Sequence, residues 1–156
     1  EAKIRLGDLA GGLADLNVWT QAYLRPGLAK RTFTQAEIVA YYNALPYADK
    51  TTRSPKKHLT KAHFKLHDGS TITEGTATEA LLQYVLQCRR ILTLHEGLRW
   101  QDIKRFGIDI YRWKKVDAGA DTYEVPADGV LLGSDLRHAI ALPQQAITGQ
   151  IQQNPR

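Results

Sequence analysis

The stretch from Cys88 to Gly107, CRRILTLHEGLRWQDIKRFG, gathers the side chains of this sequence best equipped to do chemistry. It threads a thiol, Glu96, Asp102, Arg89, Arg90, Arg99, Lys104 and Arg105 among Leu, Trp, Ile and Phe. A reactive site on a helix and a buried helix with mutually paired charges would both look like this. On a helix Glu96, Arg99, Asp102 and Arg105 follow at intervals of three, and side chains at that spacing touch. The spacing predicts a ladder of alternating charge. A carboxylate flanked by two guanidinium groups is held ionised, which suits structural pairing and disfavours proton transfer near neutral pH. The segment has no second, unpaired carboxylate to complete the couple that hydrolyses glycosidic bonds. The ladder therefore reads as an internal brace. Arg99→Ala is expected to cost about 2–4 kcal/mol by leaving buried carboxylates unpaired.

Other reactive groups are weaker candidates. Cys88 is the single cysteine, set in LLQYVLQCRRILTL among apolar neighbours, and is expected to be a small core residue rather than a nucleophile. His58, His63 and His67 invite a metal reading, since residues four apart share a helix face. In the extended hairpin expected of HFKLHDGSTIT, however, positions four apart are separated by about 13 Å, and no HExxH sequence supplies an acid. No metal or other cofactor is expected. With no nucleophile elbow, metal signature or free carboxylate pair, the chain is not expected to be an enzyme.

The elements that would position these groups are mostly helical. Residues 8–24 place Leu9, Leu13, Leu16, Val18, Trp19, Tyr23 and Leu24 near helical spacing, with Gly11 and Gly12 weakening the first turns. Thr34 and Glu37 make a capping box for QAEIVAYYNAL, which ends ahead of Pro46. Thr76 or Thr78 caps the longest segment, whose stripe of Leu81, Val85, Cys88 and Leu92 is widened by Leu82, Tyr84, Leu86 and Ile91. Gly97 marks a kink or a break into two helices, and Gly107 an end. IDIYRWKKV then alternates like a strand, with RHAIAL (137–142) as its expected antiparallel partner and 117–135 as a loop. The predicted fold is mainly α, with long buried helices and a small β-hairpin near the C-terminus.

The chain has 156 residues, 43% of them hydrophobic and 24% charged, as one globular domain or a piece of a larger one would. No apolar run approaches the ~18 residues a membrane helix needs. The absence of methionine and of a signal-like start leads us to expect a processed product or excised piece. The net charge is +5, and Lys50, Arg53, Lys56, Lys57, Lys61 and Lys65 lie in one stretch. That run is expected to be a solvated loop. Few aromatics interleave with it, so nucleic acid is not an expected partner.

Three segments in order carry a family resemblance. CRRILTLHEGLRWQDIKRFG resembles the signature helix of the SusD/RagB family through Arg89, Arg90, Glu96, Gly97, Arg99, Trp100, Asp102, Lys104 and Arg105. Ala14 to Asn17, within LADLN, resembles the family's Ala-x-x-Asp-Leu-Asn helix. The ending resembles its closing motif through Leu142, Pro143, Gln144, Asn154 and Pro155, with Gln144 where the family has a second Pro. The resemblance covers 8–24, 77–112 and 136–156. It implies the C-terminal portion of a surface nutrient-binding lipoprotein with a tetratricopeptide-like helical scaffold. Such a protein is not enzymatic. It binds oligosaccharides, or peptides in some branches, and acts as a lid on a TonB-dependent, SusC-like transporter. The resemblance places it at the outer membrane, held by a lipid anchor outside this chain.

The signature helix would then be scaffold and leaves the ligand site unplaced. Sugar rings stack on exposed aromatic faces, and the chain offers Tyr41, Tyr42, Tyr47, Tyr111, Trp113 and Tyr123. Trp113, beside Lys114 and Lys115 and near a long loop, is the first candidate, with Tyr111 and Tyr123 beside it. Trp19 and Trp100 are assigned to the core. A helical protein-interaction module without a small ligand of its own is the alternative.

Overall fold

A computed structural model of the chain describes residues 1–28, 30–54, 56–58, 69, 71–117, 119, 121–138 and 148. Within them the molecule is mainly helical, with antiparallel strand pairs toward the C-terminus. The helices are α1 (Ala2–Arg5), α2 (Leu9–Tyr23), α3 (Gln35–Ala44), α4 (Ala77–Leu92) and α5 (Arg99–Phe106).

Each start follows from local chemistry. The Asp8 carboxylate accepts the Gly11 N–H at 2.8 Å and caps α2, satisfying one of the donors a helix leaves open. Gly12, costly for helix propensity, is where α1 docks. A Cβ on it would lie 2.4 Å from Ile4 Cγ1, and Ile4 is wholly buried. The predicted capping box opens α3, with Glu37 N–H donating to Thr34 Oγ1 and Thr34 N–H donating to Glu37 Oε2. Thr76 caps α4.

The core forms where α4 meets α3 and α2. Leu81, Leu82, Val85, Leu86 and Cys88 of α4 pack with Leu16, Ile38 and Tyr42, and Phe106 and Ile108 close one side. The buried stripe ends at Cys88, while Ile91 and Leu92 are exposed. The long helical segment breaks after Leu92, and His95 and Gly97 both take positive φ. α5 ends at Gly107 in the left-handed conformation (φ 60°), the usual role of glycine at a helix end.

The expected partner for 108–116 is corrected. β1 (Ile110–Tyr111) pairs with β4 (Val130–Leu131), and β2 (Lys114–Lys115) pairs with β3 (Tyr123–Glu124). The region read as loop therefore supplies both returning strands. Together the pairs make one irregular hairpin, interrupted by residues 112–113 on one side and 125–129 on the other. Pro126 and a 3-10 turn at Ala127–Gly129 occupy the longer side. The nearer segment makes the shorter closure and costs less entropy. Residues 139–142, the 63–73 hairpin apart from Gly69 and 71–73, and the closing motif lie outside the described residues.

Candidate functional site

A groove of about 680 Å³ runs between α3 and α4, within the size range of small-molecule sites. α3 contributes Glu37, Ile38, Tyr41 and Tyr42, and α4 contributes Gln83, Tyr84, Gln87 and Arg90. Each set recurs at helical spacing and so presents one face. Phe33 completes an aromatic wall. Its ring meets Tyr84 edge-on at 6.0 Å, Tyr84 lies 6.5 Å from Tyr42, and Tyr41 meets Tyr42 edge-on at 5.1 Å. Tyr42 is buried, while Tyr41 is 56% exposed and available to a ligand.

Two fastenings position this wall. Asn17 on α2, in the LADLN motif, donates from Nδ2 to the Phe33 carbonyl (2.9 Å) and accepts the Phe33 N–H on Oδ1 (2.8 Å). Thr20, one turn on, donates to the Arg31 carbonyl at 2.5 Å. The 30–34 strap is thereby pinned to α2. On the other side Asp49 Oδ1 accepts the N–H groups of Thr51 and Thr52, each at 2.7 Å, a side-chain-built turn. Lys57 is tied back by its N–H to the Pro46 carbonyl and by its carbonyl to the Ala48 N–H. This brings Ser54, Lys56 and His58 into the groove lining.

The groove's charge is uneven. Arg90 Nη1 lies 3.1 Å from His58 Nε2. Arginine can only donate, so Nε2 accepts and the ring proton sits on Nδ1. Burial, then the charges of Arg90, Arg99 and Lys56, push the His58 pKa down to about 4. His58 is therefore neutral near pH 7. Burial also lowers the Lys56 ammonium, whose Nζ donates to the Thr52 carbonyl at 3.2 Å. Among the described residues neither Lys56 nor Arg90 pairs with a carboxylate. Glu37, the acidic group of the lining, is paired with Lys30 and held at a pKa of about 2 by Lys30 and Thr34.

The three aromatics singled out from sequence lie elsewhere. Tyr111 and Trp113 share the Lys56 ammonium, at 5.7 and 6.0 Å from their ring centres, and Tyr123 lies under Arg53 at 3.5 Å. Their faces meet cations of the basic stretch, and they do not line the groove. Trp113 Nε1 is buried without a hydrogen-bond partner among the described residues. Tyr47 donates to Glu79 at 2.6 Å, in a buried set with Lys57, whose ammonium is 3.5 Å from the same carboxylate. Lys57 is 4% exposed, so the basic run is not simply a solvated loop. Its charge is tolerated because Glu79 compensates it.

The expected ladder is also replaced. Glu96 falls in the break before α5 and is exposed, so it does not continue the helix spacing. Asp102, 1% exposed, takes two bonds from Arg89 on α4, from Nη2 at 2.6 Å and Nε at 3.0 Å. Arg105 pairs with Glu1 at 2.8 Å. Among the described residues Arg99 keeps a buried Nη1 without an acceptor, and burial lowers its pKa, with the neighbouring charge of Arg90 adding to the effect. The brace joins α4 to α5 instead of running along one helix. Cys88 is a buried core thiol with its pKa raised to about 12 by burial. His63 and His67 lie outside the described residues. Among those described, no three His, Cys, Asp or Glu side chains converge on a metal-sized site. No described helix is long and apolar enough to cross a membrane.

Arg90, Lys56, His58, Phe33 and Tyr84 were not singled out as ligand contacts from sequence. The available signal was the polar and aromatic row Gln83, Tyr84, Gln87 and Arg90 along an otherwise apolar helix. Comparison with known protein families, characterised proteins and solved structures finds no match.

Proposed function

We propose that this chain is the C-terminal portion of a SusD/RagB-like nutrient-binding protein. It binds an oligosaccharide, or a peptide, at the outer surface and passes it to a TonB-dependent, SusC-like transporter. The observation that carries this reading is the order of three motifs, LADLN, CRRILTLHEGLRWQDIKRFG and the Leu142–Pro155 ending. The geometry of two of them is consistent with it. Asn17 of the first fastens Phe33, and Arg89 and Asp102 of the second clamp α4 to α5, as scaffold residues would. In this reading α3 and α4 are a packed pair of a tetratricopeptide-like scaffold, and their groove, with its exposed Tyr41 ring, is the ligand-facing surface of the portion.

The test is fractionation of cells that make the protein, followed by co-isolation under mild detergent. The reading predicts an outer-membrane protein accessible to added protease and recovered with a TonB-dependent transporter. Recovery in the cytosol, with no transporter and no glycan or peptide bound, would contradict it. The apolar side chains of Ile91, Leu92, Leu94 and Leu98, exposed around the helix break, favour a second reading, a protein-interaction module without a small ligand. It predicts transporter recovery with no ligand binding.

A further inference from the structure

We propose that the α3–α4 groove takes an anionic oligosaccharide, one carrying uronate carboxylates or sulfate esters, with its acidic group on Arg90 and Lys56 and its ring on Tyr41. This rests on the nutrient-binding reading and narrows its substrate class. The argument begins from an imbalance of charge. Glu37 is already neutralised by Lys30 and by its capping role. Arg90 and Lys56 have carbonyl or imidazole partners but no carboxylate in contact among the described residues, with Asp49 acting on Lys56 only from beyond ion-pair distance. A neutral imidazole beside Arg90 orients the guanidinium without cancelling its charge.

A third cation reinforces the field. Arg99, outside the groove lining, acts on His58 with Asp102 offsetting part of its charge, and among the described residues its buried Nη1 donor has no acceptor. Arg90 and Lys56 both line the groove and repel one another, and an anion between them relieves that repulsion. Arginine suits the role because its planar fork matches a carboxylate or sulfate in two bonds.

The neutral part of the groove fits a sugar. Tyr41 offers an exposed ring, and a flat pyranose face stacks on such rings. Gln87 and Ser54 in the lining can bond hydroxyl groups.

The test is isothermal titration of the purified protein with four probes: oligogalacturonate, a sulfated oligosaccharide, a neutral cello-oligosaccharide and oligoglutamate. The uronate or the sulfated probe is expected to bind at least about tenfold more tightly than the neutral one. That binding should weaken as salt is raised. Arg90→Gln, at an exposed position, should reduce it about tenfold or more while the circular dichroism spectrum is retained. Lys56→Gln and Tyr41→Ala should each reduce it independently. Equal binding of the neutral glycan, or wild-type affinity in Arg90→Gln, overturns the anionic assignment and leaves the nutrient-binding reading standing. Binding of oligoglutamate alone overturns it in favour of an acidic peptide. Failure of every probe, with a broader panel of glycans and peptides equally silent, overturns the nutrient-binding reading as well.

Discussion

Removing Arg89 should be far more damaging than removing Arg99, although both are arginines of the same motif. Asp102 is 1% exposed, and its Oδ1 takes both bonds from Arg89, from Nη2 and Nε, while among the described residues its Oδ2 has no partner. Arg89→Ala would leave a buried carboxylate without its cation. Stranding a fully buried charge costs about 3–5 kcal/mol. The Arg89 side chain is 42% exposed, so water reaches the pair and about 2–4 kcal/mol is the better figure. For a chain of this size each kcal/mol moves Tm by about 2–4 °C, giving a fall of roughly 5–15 °C. Arg99→Met instead removes a buried donor that has no acceptor among the described residues and keeps an apolar stem in place. Its cost should stay within about 1 kcal/mol. Replacing both members of the clamp, as Arg89→Met with Asp102→Leu, should recover much of the loss. Thermal melts of the three variants beside the wild type decide the matter. Equal losses for the two arginines, or an unchanged Tm in Arg89→Ala, would refute the cross-helix clamp.

Three further predictions follow from the same contacts. His58 has a folded pKa near 4 against about 6.5 unfolded, so between those values the unfolded chain binds the extra proton. Stability should therefore fall as pH drops from about 6.5 toward 4, by roughly 3 kcal/mol in all, with Arg90, Arg99 and Lys56 opposing the charge. His58→Gln should flatten that slope in denaturant melts, whereas losses from Glu37 and Asp49, lowered to about 2, begin only below about pH 4.5. Asn17→Ala strands both backbone groups of Phe33 and should cost about 1–3 kcal/mol. Asn17→Ala should also weaken ligand binding in the groove, as titration would show. Thr34→Ala removes the α3 cap and should cost about 1 kcal/mol in urea unfolding, with no change in the denaturant slope.

The helices were legible because their signals are local. The Thr34–Glu37 box, the Thr76 cap and the α4 stripe each lie within a few residues, and each reappears in the structure, the stripe as far as Cys88. The ladder failed because its spacing argument assumed a continuous helix through Glu96 and Gly97. Once the chain breaks there, Asp102 is free to meet Arg89, thirteen residues away, and spacing along one helix does not reveal such a partner. The hairpin itself is present, but its returning side was misplaced for a similar reason. Alternation marked 108–116 as extended, but Val130–Leu131 and Tyr123–Glu124 were hidden among loop-forming Asp, Gly and Pro. Composition overstated the exposure of the basic stretch, since burial of Lys57 depends on Glu79 twenty-two positions on. The groove was the least legible feature. Its lining comes from the 30–34 strap, the 54–58 segment and faces of two helices, and only the tertiary fold brings Arg90 to His58 and Phe33 to Tyr84.

The most direct test of the nutrient-binding account is to probe an array of oligosaccharides and peptides with the purified protein, with Tyr41→Ala run in parallel. Tyr41 is exposed and on the groove wall, so its loss removes a stacking surface and little of the core. The account predicts retention on at least one ligand class by the wild type and a marked loss of that retention in the variant. A silent array, or retention indifferent to Tyr41→Ala, would contradict it.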